Sequence, residues 1–379
     1  METLKDKLTS KIRVPKMSAS DWLLRTSFWP LLDVRSEGEY QEGHIPGSIS
    51  APILNNEERH QVGLTYKQKG QEEAIALGLK LAEPHRQARV KNWLELIQGS
   101  VAVTCWRGGL RSRFASGWLE EASLGKFNIV QITGGYKAIR NQLIRAIEAP
   151  REIYVLGGMT GSGKTALLQE LLQENTIPST QIVDLEGMAK HRGSAFGNQL
   201  GNRGQIVEQP RQATFENTLG MQLFQSQGAI VLENESSLIG KVFIPHLFRS
   251  QMKQAPLIIL ETSLQERIEA IFHEYVEIPL QHETPVTQLW EILGQNIKSL
   301  EKRLGGKDTA LAIKLLQEGL SNPLLLEKQS PWIELLLVRY YDKAYAYALN
   351  RSQQKILFQG NKTEIKSWLI EKWASRKNG

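Results

Sequence analysis

The 379-residue chain has a single cysteine, so no disulfide can form within it. A lone thiol fits a reducing compartment, and a cytoplasmic location is expected. Long apolar runs are missing too. No stretch approaches the roughly 20 residues that cross a bilayer, so no membrane partner is expected. The first residues, Met1-Glu2-Thr3-Leu4-Lys5-Asp6, are charged from the outset and lack the apolar core of a secretory signal. Internal repeats and low-complexity segments are absent. Aromatic residues make up 7% and charged residues 23%, which leaves an ordinary globular composition. The length is enough for two domains, each with a core of its own.

The charge that is present is uneven. Net charge is +6, and from residue 339 onward nine Lys or Arg face three Asp or Glu. Tyr340, Tyr341, Tyr345, Tyr347, Phe358, Trp368 and Trp373 are interleaved with them. Cations that draw phosphates, with rings on which bases stack, suit nucleic acid. The same tail also reads as an amphipathic helix over 363–376. Ile365, Trp368, Leu369 and Trp373 then share one helical stripe, and the tryptophans are core.

Apolar runs at 31–34, 101–104 and 129–133 predict strands, and 72–81 and 88–98 predict helices. This alternation is an α/β pattern with a parallel sheet. A boundary near Ala149-Pro150 closes a first domain over 1–148. A second, over 149–283, opens with a strand at 153 and has further buried strands at 181–184, 229–232 and 256–260. From about Pro285 the pattern is helical, giving a C-terminal region over 284–379 as a candidate nucleic-acid contact.

Two segments carry chemistry. Cys105, in Thr104-Cys105-Trp106-Arg107-Gly108-Gly109-Leu110-Arg111-Ser112, follows a strand and precedes a helix that starts near residues 111–112. Backbone N–H groups and a helix N-terminus at that place favour a thiolate over a thiol. Arg107 and Arg111 add positive charge, and Gly108 and Gly109 let the amides converge. The bland alternative, a buried structural cysteine, leaves those glycines and arginines unexplained.

The second segment, 153–165, runs from an apolar strand into Gly158-Met159-Thr160-Gly161-Ser162-Gly163-Lys164-Thr165, and a helix follows over 165–173. That is a P-loop in its proper setting. Its amides face phosphate oxygens, Lys164 neutralises them, and the Thr165 hydroxyl can ligate Mg²⁺. A nucleotide hydrolase would show Asp after the strand at 229–232, whereas Glu233 stands there. Asp184 is the rival metal or acid–base partner. The segment 184–197, polar, basic and glycine-rich, offers Lys190, His191 and Arg192 as candidate RNA or phosphate contacts.

Three ordered matches in the first domain resemble the rhodanese domain. They are the opening Asp33-Val34-Arg35-Ser36-Glu37-Gly38-Glu39-Tyr40 with Gly43-His44-Ile45-Pro46-Gly47-Ser48, the cysteine loop, and the closing Gly134-Gly135-Tyr136. The resemblance covers about 15–147 and implies that Cys105 carries a transferable chalcogen, with His44 structural. One departure stands out. Arg111 lies six residues after Cys105, where small rhodaneses place it five after. Six is the spacing of cysteine phosphatases, so either the domain is a phosphatase or its donor bears a phosphate.

The whole order of parts is similar to the bacterial tRNA 2-selenouridine synthase family. The cysteine loop, the P-loop, the segment from Asp184 to Gly197, Tyr66-Lys67-Gln68-Lys69-Gly70-Gln71 and Glu233-Asn234-Glu235-Ser236 carry that similarity. It implies a rhodanese-like domain, then a P-loop parallel-sheet domain with a helical C-terminal region. It further implies an enzyme that replaces sulfur by selenium in wobble 2-thiouridine, acting on the anticodon arm of tRNA. Selenophosphate is then the selenium donor, and geranyl diphosphate alkylates the sulfur first; the P-loop is expected to hold either that diphosphate or a nucleotide. An ATP-dependent tRNA sulfurtransferase and a non-catalytic RNA-binding module stay open beside it.

Overall fold

A computed structural model of the chain describes residues 12–26, 29–97, 99–191 and 207–377. They form two compact units. The first comprises Met1–Ile147 with Arg211–Gln225, the second Glu148–Pro210 with Ser226–Gly379.

The first unit is built on strands β1 (Lys16–Met17), β2 (Leu31–Asp33), β3 (Ile49–Ser50), β4 (Val101–Thr104) and β5 (Ile129–Ile132). They pair in parallel in the order β1-β5-β4-β2-β3. Successive side chains leave opposite faces, so both faces of this sheet need an apolar cover. Val101, Val103 and Cys105 share one face with Trp93, Trp118 and Leu119, whereas Ala102, Val130 and Ile132 meet Trp22, Tyr136 and Leu143 on the other. The helix Gly135–Glu148 buries Tyr136, Ile139, Leu143 and Ile147, one stripe at helical spacing.

The second unit has strands β6 (Ile153–Gly157), β7 (Ile182–Val183), β8 (Ile230–Glu233), a hairpin of β9 (Leu238–Ile239) and β10 (Val242–Phe243), then β11 (Leu257–Leu260) and β12 (Ile356–Gly360). Its main sheet is parallel in the order β12-β11-β6-β8-β7. Leu167, Leu168 and Leu171 of the helix Lys164–Gln173 fill one core with Ile365, Leu369 and Trp373 of the helix Lys362–Lys377. A separate helical core joins Ile271, Trp290, Leu293, Trp332 and Leu336. Among the described residues no helix is long and apolar enough to cross a membrane.

Two features depart from the sequence expectation. The region after Pro285 is not helical throughout, because β12 returns to the sheet beside β11. Its half-exposed Ile356-Leu357-Phe358 run is too short and too flanked by helical pattern to announce itself. The helix Gln212–Gln225, inside the range expected for the P-loop domain, groups with the first unit. There Asn217 donates to the His44 carbonyl at 2.8 Å and to the Tyr136 hydroxyl at 3.2 Å, and Arg140 pairs with Glu216. Gly220 lies so close to Leu143 that a Cβ would sit 2.7 Å from it.

Fragment 1–148 therefore lacks a piece of its own unit. Each buried polar partner lost costs about 1–3 kcal/mol, and a 150-residue domain shifts by roughly 2–4 °C per kcal/mol. The fragment should melt on the order of 10 °C below the same fragment joined by a short linker to residues 210–226, as read by circular dichroism. Equal midpoints would show that the helix adds nothing.

Candidate functional site

The cysteine loop springs from the end of β4. Cys105 is 3% exposed; its Sγ accepts the Gly109 N–H at 3.3 Å and lies 3.2 Å from the Ser112 hydroxyl. Gln131 on β5 braces the loop from below, donating to the Gly108 carbonyl at 2.9 Å and to Ser112 Oγ at 2.9 Å. Gly108, at φ +63°, and Gly135, at φ +61°, cross backbone to backbone. A Cβ on Gly135 would lie 2.2 Å from the Cys105 carbonyl oxygen, and one on Gly108 2.4 Å from that of Ile132. The contact is tied by Tyr136 N–H to the Cys105 carbonyl at 2.8 Å and Lys137 N–H to that of Trp106 at 3.0 Å. The Gly134-Gly135-Tyr136 signature thus holds the cysteine loop in shape.

The opening signature supports the same loop. Asp33 and Arg35 form a fully buried ion pair at 2.7 Å, and the Arg35 guanidinium stacks 3.8 Å from the Tyr136 ring centre. Glu39 grips Arg111 with both oxygens, at 2.5 and 3.1 Å. Burial alone would push the Glu39 carboxyl up, but its bonds and charge contact with Arg111 outweigh that and hold it below the ordinary range. Burial alone would likewise lower Arg111, and Glu39 reverses this, with Cys105 and Asp33 adding to it. Arg111 is therefore a positioned cation. Glu39 is a site residue that its place in a Ser36–Glu39 capping box conceals. His44 stacks flat on Tyr40, ring centres 4.2 Å apart, in a structural role. Above Cys105 opens a cleft of about 690 Å³, ringed by Lys16, Arg107, Arg111 and Arg113.

The second site lies at the end of β6. Gly158, Gly161 and Gly163 take positive φ of 154°, 79° and 84°, and the Lys164 ammonium turns back onto the Gly158 and Met159 carbonyls at 3.1 and 3.3 Å. Ser162 is buried within the loop. The Thr165 hydroxyl donates to Glu233 Oε1 at 2.5 Å, with Glu186 Oε2 at 3.2 Å. Glu233 is fully buried and its other oxygen has no hydrogen-bond partner. Burial, then the carboxylates of Glu186, Asp184 and Glu235, push its carboxyl well above the ordinary range. Partial burial and the Glu186 charge push Glu235 up to about 8.

Asp184 has other work. It caps the helix Leu185–Ala189 through the Gly187 N–H at 2.7 Å and accepts from Gln169 at 2.6 Å. Glu233, directly on Thr165, is the better placed metal partner. Among the described residues no three Asp, Glu, His or Cys side chains converge as a metal cage. Mg²⁺ at a phosphate site needs none, since one or two protein oxygens suffice beside the phosphates.

Arg267 is the residue sequence reading passed over. Almost fully buried, it donates to the Thr160 carbonyl at 2.8 Å and pairs with Asp342 at 2.5 Å, so it fixes the P-loop to the helical region. Nothing in its local sequence distinguishes it from a solvated helix arginine. The cleft over the P-loop, about 910 Å³, has a wall of Tyr275, Tyr340, Tyr341 and Tyr345. Tyr275, Tyr340 and Tyr341 sit on π-helical turns, His273–Glu277 and Leu337–Tyr341, a geometry enriched at functional sites.

Lys190 is exposed and His191 half-buried beyond the Asp184 helix, while Arg192 lies outside the described residues. Three cations of the basic tail are paired within their own unit. Lys362 and Lys366 pair with Glu170, whose carboxyl they draw down to about 2, and Arg376 pairs with Glu152. Trp373 is core and Trp368 partly so, as the helical-stripe reading requires.

The family model of the tRNA 2-selenouridine synthase AAA domain matches residues 151–376, and that of the rhodanese-like domain matches 17–142. A tRNA 2-selenouridine synthase of Sulfurovum sp. (strain NBC37-1) is 38% identical over 361 residues, covering 90% of this chain and 94% of its own. One of Shewanella sediminis (strain HAW-EB3) is 36% identical over 382 residues, covering 94% and 97%. The crystal structure of the N-terminal domain of a putative ATP/GTP binding protein from Clostridium difficile 630 is 34% identical over 33% of this chain and 96% of its own, with a TM-score of 0.29. Matched along nearly its whole length, with both domains in order, the chain belongs to the tRNA 2-selenouridine synthase family.

Proposed function

We propose that the protein replaces sulfur by selenium in wobble 2-thiouridine on the anticodon arm of tRNA, in the cytoplasm, through an S-geranyl intermediate. The observation that carries this reading is the pairing, on one chain, of a cysteine loop with phosphatase spacing and a P-loop whose cleft has an aromatic wall. In the first step geranyl diphosphate is the co-substrate. The P-loop amides and Lys164 bind its diphosphate, and the tyrosine wall offers a surface for its chain. The sulfur lone pair attacks the allylic carbon, the C–O bond breaks, diphosphate leaves with the electron pair into the field of Lys164, and N3 of the base releases its proton to solvent. Thr165 and Glu233 would hold Mg²⁺, for which the unpartnered Glu233 oxygen is a fit; the ion supplies charge neutralisation for the leaving group.

In the second step selenophosphate is the donor. The Cys105 thiolate attacks phosphorus, the P–Se bond breaks, and selenium departs as selenide. Hydrogen selenide anion then adds to C2, the C2–S bond breaks, geranylthiol leaves with the selenide's proton, N3 regains a proton from solvent, and water frees phosphate from Cys105. Selenium keeps its oxidation state throughout, so no oxidant is called for. Carriage of selenium on Cys105 as a persulfide equivalent would need one. Arg107 and the Glu39-held Arg111 suit a phosphate-bearing donor, and the Gly109 N–H points at the Cys105 sulfur.

Three outcomes follow. Lys164→Ala should cut geranylation about 100-fold or more in nucleoside mass spectrometry, and unchanged geranylation with lost ATP binding would favour an ATP-dependent sulfurtransferase. Cys105→Ser should abolish selenation yet let S-geranyl-2-thiouridine accumulate; loss of both steps would refute the two-site scheme. Between the ordinary 4.5 of a carboxyl and the raised value of about 8 at Glu235, the ligand-free fold keeps a proton the unfolded chain has released. Its stability should therefore fall as pH rises through that window. Glu235→Gln should flatten that trend in a denaturation series followed by circular dichroism, and an unchanged slope would show that Glu235 does not hold the proton.

A further inference from the structure

Beside the cysteine cleft lies a second cavity, of about 320 Å³, to which neither step above gives a part. Helices Asn56–Lys69, Gln71–Ala82 and Leu110–Ser123 contribute its walls, and its surface is almost wholly hydrocarbon, from Ile53, Leu54, Val62, Ile75, Leu79 and Phe114. Tyr66, Gln71, Leu110 and Arg111 line both this cavity and the cleft over Cys105, so the two spaces adjoin. An apolar void is a poor host for water. Its size is at the small end of ligand pockets, about 300–1,000 Å³.

Two glycines border the space. Gly63 and Gly78 stand inside the first two of those helices, where glycine weakens a helix relative to alanine. Neither has positive φ, so the backbone does not call for glycine at either position. A Cβ at Gly63 would meet only the tip of Arg59, at 3.9 Å, and one at Gly78 would touch Val62 at 3.6 Å. Both line the cavity, and a side chain at either position would have room to enter it.

We infer that this cavity receives the hydrocarbon chain of the S-alkylated base while C2 is presented to the cysteine loop. The inference rests on the two-step reading and adds how the second step selects its substrate. A branched ten-carbon chain fills an apolar slot that a bare thione leaves empty, and each methylene buried there favours binding by about fourfold. Alkylation then does more than create a leaving group, since it supplies the anchor by which the selenation site holds the base. Departure of the thiol empties the slot, and the selenated product loses that anchor.

Gly63→Leu and Gly78→Leu fill the slot from helices they should strengthen, so neither variant should melt below the parent. The substrates are anticodon stem-loops carrying preformed S-geranyl- or S-methyl-2-thiouridine, with selenophosphate. The parent should selenate the geranyl RNA at least about tenfold better in kcat/KM, the equivalent of two buried methylenes. Each leucine variant should lose that preference while reacting normally with the methyl RNA and geranylating 2-thiouridine at the parent rate. Equal losses on both RNAs, or none on either, would overturn the inference. A parent that selenates neither RNA would sink the two-step reading instead. The cavity is then judged by photo-crosslinking, with a diazirine at the end of the same chain. Label on peptides 53–82 and 110–118 that drops about tenfold in Gly63→Leu supports the cavity, and label elsewhere rejects it.

Discussion

In both units the chemistry depends on one constraint: the backbone must turn from a strand into a helix so tightly that its amides face a single point. A Cβ stands in the way of such a turn. At the cysteine loop the crossing of Gly108 and Gly135 brings two main chains closer than any side chain permits, and Gln131 locks the result from the neighbouring strand. At the P-loop three glycines take positive φ in six residues. Sheet order, helix packing and the buried Asp33–Arg35 pair all serve to bring these turns to the ends of parallel strands, where ligands bind in open α/β sheets.

How charge is arranged divides the two sites. The cysteine cleft is lined by Lys16, Arg107, Arg111 and Arg113, and the Glu39 carboxylate is spent on orienting Arg111. The P-loop cleft is lined by Asp184, Glu186, Glu235 and Glu274 beside Lys164 and Arg249, and burial with the crowding of carboxylates there raises Glu233 behind Thr165 and Glu235. An anionic donor and a metal-bound anion are what such opposite fields would respectively attract. In the tail, two of the lysines, Lys362 and Lys366, are instead paired with Glu170 and Glu174 at the end of the helix Lys164–Gln173.

Much of this was legible in the chain. The strands at 101–104, 129–132, 153–157 and 257–260 are buried apolar runs, and glycines next to Cys105 and Lys164 announce tight turns. What escaped reading was what depends on distant partners. Glu39 and Arg267 act through residues 72 and 107 positions away, and no local pattern marks them. β12 is half-exposed and pairs with a strand about a hundred residues earlier. Asp184 reads as a metal ligand by position, but one of its oxygens caps a short helix and the other accepts from Gln169.

The helix Gln212–Gln225 has a consequence for synthesis. A ribosome making roughly 5–20 residues per second would finish the helix about 4–16 s after residue 147. Until then the first unit lacks the donor for the His44 carbonyl and the partner of Arg140. Its sheet can assemble early, but the unit is completed only after the P-loop and its first helix have been made. Maturation of the thiol-bearing unit is thus coupled in time to synthesis of the phosphate-binding one, and a chain stalled between them would expose an unfinished surface.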